Sequence, residues 1–95
     1  MFLGAYHFDG DTGALLDGYD RMVAQFPPGV LELNVCVARD DGITVFDACP
    51  SGDVFAGFSE SAEFLAAVST AGLPTPRVEP LGDVHAAILT HPVTP

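Results

Sequence analysis

The sequence predicts an α+β domain in which helices cover one face of a four-stranded antiparallel sheet. Three observations carry that expectation. Hydrophobic periodicity runs strand, helix, strand, strand, helix, strand along the chain. The stretch from Val30 to Cys49 has the pattern of a β-hairpin about Asp41-Gly42, and the helical stretch before Pro74 closes on Ala71-Gly72-Leu73, a helix-ending signature. At 95 residues the chain is one domain spanning 1–95.

Met1 to Phe8 is a short apolar run closed by Asp9-Gly10-Asp11. It alternates Phe2, Gly4, Tyr6 and Phe8 with Leu3, Ala5 and His7, and both sets are apolar enough to be covered, as in a central strand. Asp11 or Thr12 is placed to cap the next element. Leu15, Leu16, Tyr19, Met22, Val23 and Phe26 recur there at helical spacing, with Tyr19 read as a core residue. Pro27-Pro28-Gly29 stops the helix, because a residue before proline is forced out of the α region.

The hairpin follows. With Asp41-Gly42 as a two-residue type I′ loop, Val37 lies opposite Phe46 and Val35 opposite Ala48, on an apolar face shared with Leu31 and Leu33. The other face carries Glu32, Asn34, Cys36 and Ala38 beside Val45, Asp47 and Cys49. It is too polar for a dry core and too apolar for open water, so it suits a cavity or a subunit interface. A three-residue Asp40-Asp41-Gly42 loop would put Asp47 among the leucines, which disfavours it.

Ser51 or Asp53 can cap a short helix bearing Val54, Phe55 and Phe58, and Ser59 can cap a second bearing Phe64, Leu65 and Val68. The two apolar sets are out of phase, which predicts a break between Phe58 and Ser61. Gly72 is placed as a left-handed C′ residue, and Pro74 and Pro76 prevent continuation. Arg77 to Leu81, interrupted by Pro80, should be an edge or a connector. Val84 to His91 is the expected last strand, with a frayed tail from Pro92 to Pro95.

Composition excludes several functions. The formal charge is -10, with no lysine and only Arg21, Arg39 and Arg77 against thirteen carboxylates. Nucleic acid and anionic membranes are repelled by such a chain. No basic stretch followed by an apolar signal core opens it, and no run is long enough to span a bilayer, so a cytoplasmic chain, complete as it stands, is expected. Cys36 and Cys49 share a face on a diagonal, on the order of 7 to 8 Å apart, which favours reduced thiols. A hydrophobic fraction of 48% with mean hydropathy +0.35 is high for this length and points to self-association.

The element order is the split βαβ, or ferredoxin-like, plan. Right-handed crossovers place the first and third strands in the middle, with the helices on one face. The other face is left bare although aliphatic residues reach it, and two copies packing those faces together would cover it. In strand and helix order over nearly its whole length, the chain resembles the dimeric α+β barrel proteins of the antibiotic biosynthesis monooxygenase-like group. A run similar to small bacterial members without an established activity is Cys49-Pro50-Ser51, Phe55-x-x-Phe58, Glu63-Phe64, Ala71-Gly72-Leu73-Pro74 and Val84-His85. The resemblance implies a homodimer. The wider group includes cofactor-free oxygenases, haem-degrading enzymes and isomerase-like proteins, so it does not fix a reaction.

The candidate chemistry begins with His7 and His85, which the expected sheet brings together on neighbouring antiparallel strands. They can serve as general acid and base or as two metal ligands, with Asp47 and Cys36 further along the face, or simply fill half-buried slots. Asn34 and Asp47 can polarise a carbonyl or accept a proton from an acidic carbon, or hydrogen-bond structurally. No tight ligand spacing supports zinc. Haem-degrading relatives carry their axial histidine on a helix, whereas His7, His85 and His91 fall on expected strands or the tail, so no metal or cofactor is expected. Oxygenase relatives place an asparagine and a tryptophan at the substrate; this chain has no tryptophan. Neither cysteine has a helix N-terminus or lysine to stabilise a thiolate.

Two functions of different class remain open. One is a homodimer that binds a small, partly aromatic molecule between sheet and helices, contacted by Tyr6, Cys36, Phe55 and Phe58. Proton transfer or cofactor-free oxidation would then fall to His7, His85, Asp47 and Asn34. The other is a non-catalytic homodimeric module whose mixed face is an interface.

Overall fold

The computed structural model describes residues 1–94, and Pro95, the end of the tail expected to fray, lies outside the described residues. The elements are β1 (Phe2–Asp9), α1 (Thr12–Val23), β2 (Asn34–Arg39), β3 (Gly42–Cys49), α2 (Gly52–Ser59), α3 (Ala62–Thr70) and β4 (Arg77–Asp83). The four strands form one antiparallel sheet in the order β2-β3-β1-β4, the ferredoxin-like arrangement with β1 and β3 central. No helix among the described residues is long and apolar enough to cross a membrane.

Caps fix the helices where the side chains allow. Asp11 accepts the Ala14 N–H at 2.9 Å and starts α1. The chain then turns through Gln25 and Phe26 before Pro27, so α1 closes at Val23. Ser51 caps α2. The expected break follows, but Ser61 and not Ser59 caps α3: Ser61 has extended backbone and accepts the Phe64 N–H at 3.1 Å. Ser59 ends α2 instead, and its hydroxyl donates to the Phe55 carbonyl at 2.7 Å. At the far end of α3, Gly72 takes φ 78°, and Leu73 N–H reaches the Val68 carbonyl while Gly72 N–H reaches that of Ser69, the two bonds of a Schellman ending.

The core lies between the helices and the sheet face that carries Tyr6, Phe8, Ile43 and Val45. Aromatic rings knit it. Tyr6 and Phe64 have ring centroids 4.8 Å apart, Phe58 and Phe64 5.1 Å, and Tyr6 and Phe55 5.5 Å.

From Asn34 to Cys49 the hairpin keeps its expected faces but slips by two residues; Leu31, expected beside Val35 and Val37, precedes β2 and lines the side of Asn34 and Asp47 instead. Val35 pairs with Phe46 and Val37 with Thr44, and the loop is Asp40-Asp41 rather than Asp41-Gly42. A slip of two conserves which side chains share a face. No described residue other than glycine takes positive φ, so Asp41 does not supply half of a type I′ turn. Gly42 instead opens β3 where a Cβ would lie 2.1 Å from the Phe8 carbonyl oxygen, which only glycine permits. Arg39 holds the turn from inside, donating to Asp41 at 2.7 Å, to Thr44 at 3.0 Å and to the Phe8 and Ile43 carbonyls at 3.1 Å.

The last strand corrects the sequence reading. It is Arg77–Asp83, at the sheet edge, and not Val84 to His91. An edge admits Pro80, and the break in pairing is taken up by a bulge: Gly4 faces Pro80 and Leu3 faces Gly82, leaving Leu81 extra. Val84 adds one bond, its N–H to the Met1 carbonyl at 2.8 Å.

Candidate functional site

Alternation along the strands sorts the candidate residues onto two faces. Asn34 and Asp47 pair directly across β2 and β3 on the helix-covered side. Tyr19, on α1, donates its hydroxyl proton to Asn34 Oδ1. Asn34 Nδ2 donates to Asp47 Oδ1 at 3.3 Å, and the Cys49 thiol approaches the other carboxylate oxygen at 3.8 Å. All three donors are neutral. Asp47 is 7% exposed, and burial pushes its carboxyl above the usual aspartate range despite the hydrogen bonds from Asn34 and Cys49, which pull it down.

The other groups here are held in their protonated forms. Burial pushes the Tyr19 phenol up to about 12, helped by the nearby Cys36, Asp20 and Asp47. Burial and the neighbouring Asp47 raise the Cys49 thiol, and burial with Asp20 raises Cys36. Neither thiol is poised as a thiolate.

A cavity of about 30 Å³ opens over this cluster, space for a water molecule. Its walls are Tyr6, Phe8 and Val45 from the sheet, Met22 and Phe26 at the end of α1, Leu31, and Phe58 with Phe64 across the helix break. A larger, open groove of about 390 Å³ lies between α2 and β4, over Phe55, Ala56, Ser59, Val78 and Pro80, with Glu60 its one carboxylate. The chemistry and the room are therefore in different places.

His7 lies on the opposite, helix-free face. Its Nδ1 is 3.0 Å from Thr44 Oγ1, and its Nε2 is 2.8 Å from Glu79 Oε1. The Glu79 carboxylate can only accept, so His7 Nε2–H donates to it, while Thr44 Oγ1, which also accepts from Arg39 Nε at 3.0 Å, is the partner of Nδ1. Arg77 sits across from His7 where His85 was expected. His85 follows Val84 at the Met1 end of β1, about 20 Å from His7 along the strand, and is exposed. The pairing of His7 with His85 is thus not formed, because the last strand ends before His85. Nor does His7 share a face with Asp47 and Cys36.

The remaining candidates divide similarly. The Tyr6 hydroxyl is 3.0 Å from Ser59 Oγ, and burial pushes its phenol up to about 12. Tyr6 and Phe58 border the Asp47 cavity, Phe55 floors the open groove, and Cys36 is half-buried against the core. Tyr19, which the sequence favours as a core residue over a site residue, packs against the core and also joins the Asn34–Asp47 network through its hydroxyl. Among the described residues no group of three or more His, Cys, Asp or Glu side chains is arranged to hold a metal ion. No protein family, curated protein or solved structure matches the chain.

Proposed function

We propose that the protein is a self-associating binding module, related in kind to the dimeric α+β barrels of the monooxygenase-like group, that takes a small, weakly charged, partly aromatic molecule at Asn34 and Asp47. Proton transfer is the chemistry best suited to this site. The observation that carries the reading is a buried carboxylate with neutral donors only. Such a group is held nearer neutrality than an ordinary aspartate, which is what a general base or acid requires. Asp47 would take a proton from an acidic C–H or O–H and return it to another atom of the same molecule, with Asn34 orienting the carboxylate. This exchange needs no oxidant, whereas oxygenation would need dioxygen. The bare sheet face, with Val35 and Val37 each 41% exposed, supports packing against a second copy.

Entry requires the connector over 24–33, which supplies Phe26 and Leu31 to the cavity wall, to yield to the ligand. Phenol is a suitable probe, being small, aromatic, and a donor to a carboxylate. Titration followed by NMR should move the Asn34 side-chain amide together with Phe58 and Phe64, and Asp47→Asn should weaken the response. A titration to millimolar phenol that leaves these signals in place overturns the reading.

A second reading, a non-catalytic homodimeric module, has its own support. The cavity has room for one water, and among the described residues no buried side-chain polar atom lacks a partner. It predicts that same silent titration, with the dimer intact.

A further inference from the structure

The end of the chain has strand chemistry and nothing to pair with. From Val84 to Leu89 aliphatic residues fill both alternating sets, and none of the thirteen carboxylates lies beyond Asp83. After the single bond of Val84 to Met1, every described residue is exposed, Ile88 at 91% and Val93 at 81%.

At the far edge of the sheet β2 has the complementary deficit. The Ala48 N–H donates to the Leu33 carbonyl at 3.0 Å, which makes residues 33 and 48 a hydrogen-bonded pair. Alternation along an antiparallel ladder then bonds 35 to 46 and 37 to 44. The N–H and C=O groups of Asn34, Cys36 and Ala38 therefore point away from β3, at an edge with no neighbouring strand among the described residues. Asn34–Arg39 contains no proline, no lysine, no carboxylate and no bulge, the devices that usually guard such an edge. The other edge, β4, has Pro80, Glu79, Asp83 and the bulge at Leu81.

We infer that the arm from Val84 to Val93 of one copy adds as a fifth strand along β2 of a second copy, and reciprocally. This rests on the self-association proposed above and adds which segments make it. Charge favours this contact between two chains of formal charge -10, because neither the arm nor β2 carries a carboxylate. Area favours it too. The chain exposes 5942 Å², where scaling with mass gives roughly 5,200 Å² for a compact monomer. The excess, roughly 700 Å², is near the ~800 Å² that each partner contributes to a stable interface. The chain's own β2 lies three strand spacings from β4, about 14 Å away. Because Asn34 belongs to the receiving edge, the partner's arm runs along the flank of the Asn34–Asp47 cavity.

The test compares the full chain, a chain ending at Val84, and Ala38→Pro, whose lost N–H points outward and leaves the β2–β3 ladder intact. Light scattering gives the mass, and NMR hydrogen exchange reports the Cys36 and Ala38 amides. The expected result is a dimeric full chain with both amides protected and a monomeric shortened chain with both exposed. Ala38→Pro should weaken the dimer about 10-fold, as the loss of one or two net hydrogen bonds implies. A monomeric full chain with exposed amides overturns self-association and the arm together. A dimer that survives the shortening with those amides unprotected keeps self-association and overturns the arm. A monomer with protected amides means the arm folds onto its own sheet, which also overturns the exchange.

Discussion

Two polar networks sit back to back on one sheet, and they treat the same kind of side chain in opposite ways. On the helix side, Asp47 is buried among neutral donors and its carboxyl titrates above the ordinary range. On the open side, Asp9 is exposed beside Arg77 and Arg39, and their hydrogen bonds hold its carboxyl below that range. The difference traces to three arginines. Arg39 and Arg77 are on the open face, and Arg21 donates to the Ala71 carbonyl at the end of α3 at 3.0 and 3.1 Å, so no cation reaches Asp47. In a chain without lysine, the placement of three guanidinium groups decides which carboxylate is available for chemistry.

The sharpest way to break this contrast is Asp47→Ala. It leaves the Asn34 amide facing a buried gap, and urea denaturation should show a loss of about 2–3 kcal/mol. A loss no greater than that of an exposed substitution would mean that Asp47 is not the buried acceptor described.

The pH dependence of stability sharpens it further, because the two aspartates act with opposite sign. The folded chain holds a proton on Asp47 more readily than the unfolded chain does, so ionised Asp47 weakens the fold. That penalty is full above its raised folded value and disappears as pH falls to the unfolded aspartate range. Asp9 behaves oppositely: its contribution is present above the unfolded range and is lost as pH falls through its lowered folded value. Asp47→Asn should therefore flatten the decline of stability on the way up toward neutrality, and Asp9→Asn should flatten the decline at acid pH. Identical pH profiles for the two variants would erase the distinction.

The smallest effect belongs to His7→Ala. The His7–Glu79 contact is at the solvent, with side chains 20% and 56% exposed, and such pairs contribute less than about 1 kcal/mol and fade with salt. A salt-insensitive loss as large as that of Asp47→Ala would place His7 in a buried role it does not have here.

What the sequence made legible was local. The helix break, the cap of α1 and the Gly72 ending are each set by residues within a few positions of one another, and the faces of β1 and of the hairpin follow from strict alternation. Register was not legible, since a slip of two residues preserves the same alternation. The extended edge at Arg77 to Leu81 is legible through Pro80, but propensity assigns the last strand to Val84 to His91 over a segment holding Pro80 and Gly82, while edge position and a bulge make that segment the strand. The candidate site was half legible. Asn34 and Asp47 share a face by parity within one hairpin, but whether His7 joins them depends on the register between β1 and β3, which pairs His7 with Thr44.

Arg39 has a consequence for how the chain meets a protease. Tight hairpin tips that stand in solvent are ordinary points of cleavage, as are long connectors. Here the tip is fastened to the start of α1: Thr12 Oγ1 donates to the Arg39 carbonyl at 2.6 Å, Gly10 N–H to the Asp41 carbonyl at 2.9 Å, and the guanidinium to the Phe8 carbonyl. Opening Asp40-Asp41 far enough to enter a protease cleft would mean releasing the end of β1 as well. The segment over 27–32, largely exposed and held among the described residues by one backbone bond, Val30 N–H to the Pro27 carbonyl, offers the easier cut, and severing it would unroof the wall formed by Phe26 and Leu31 while the sheet stayed closed.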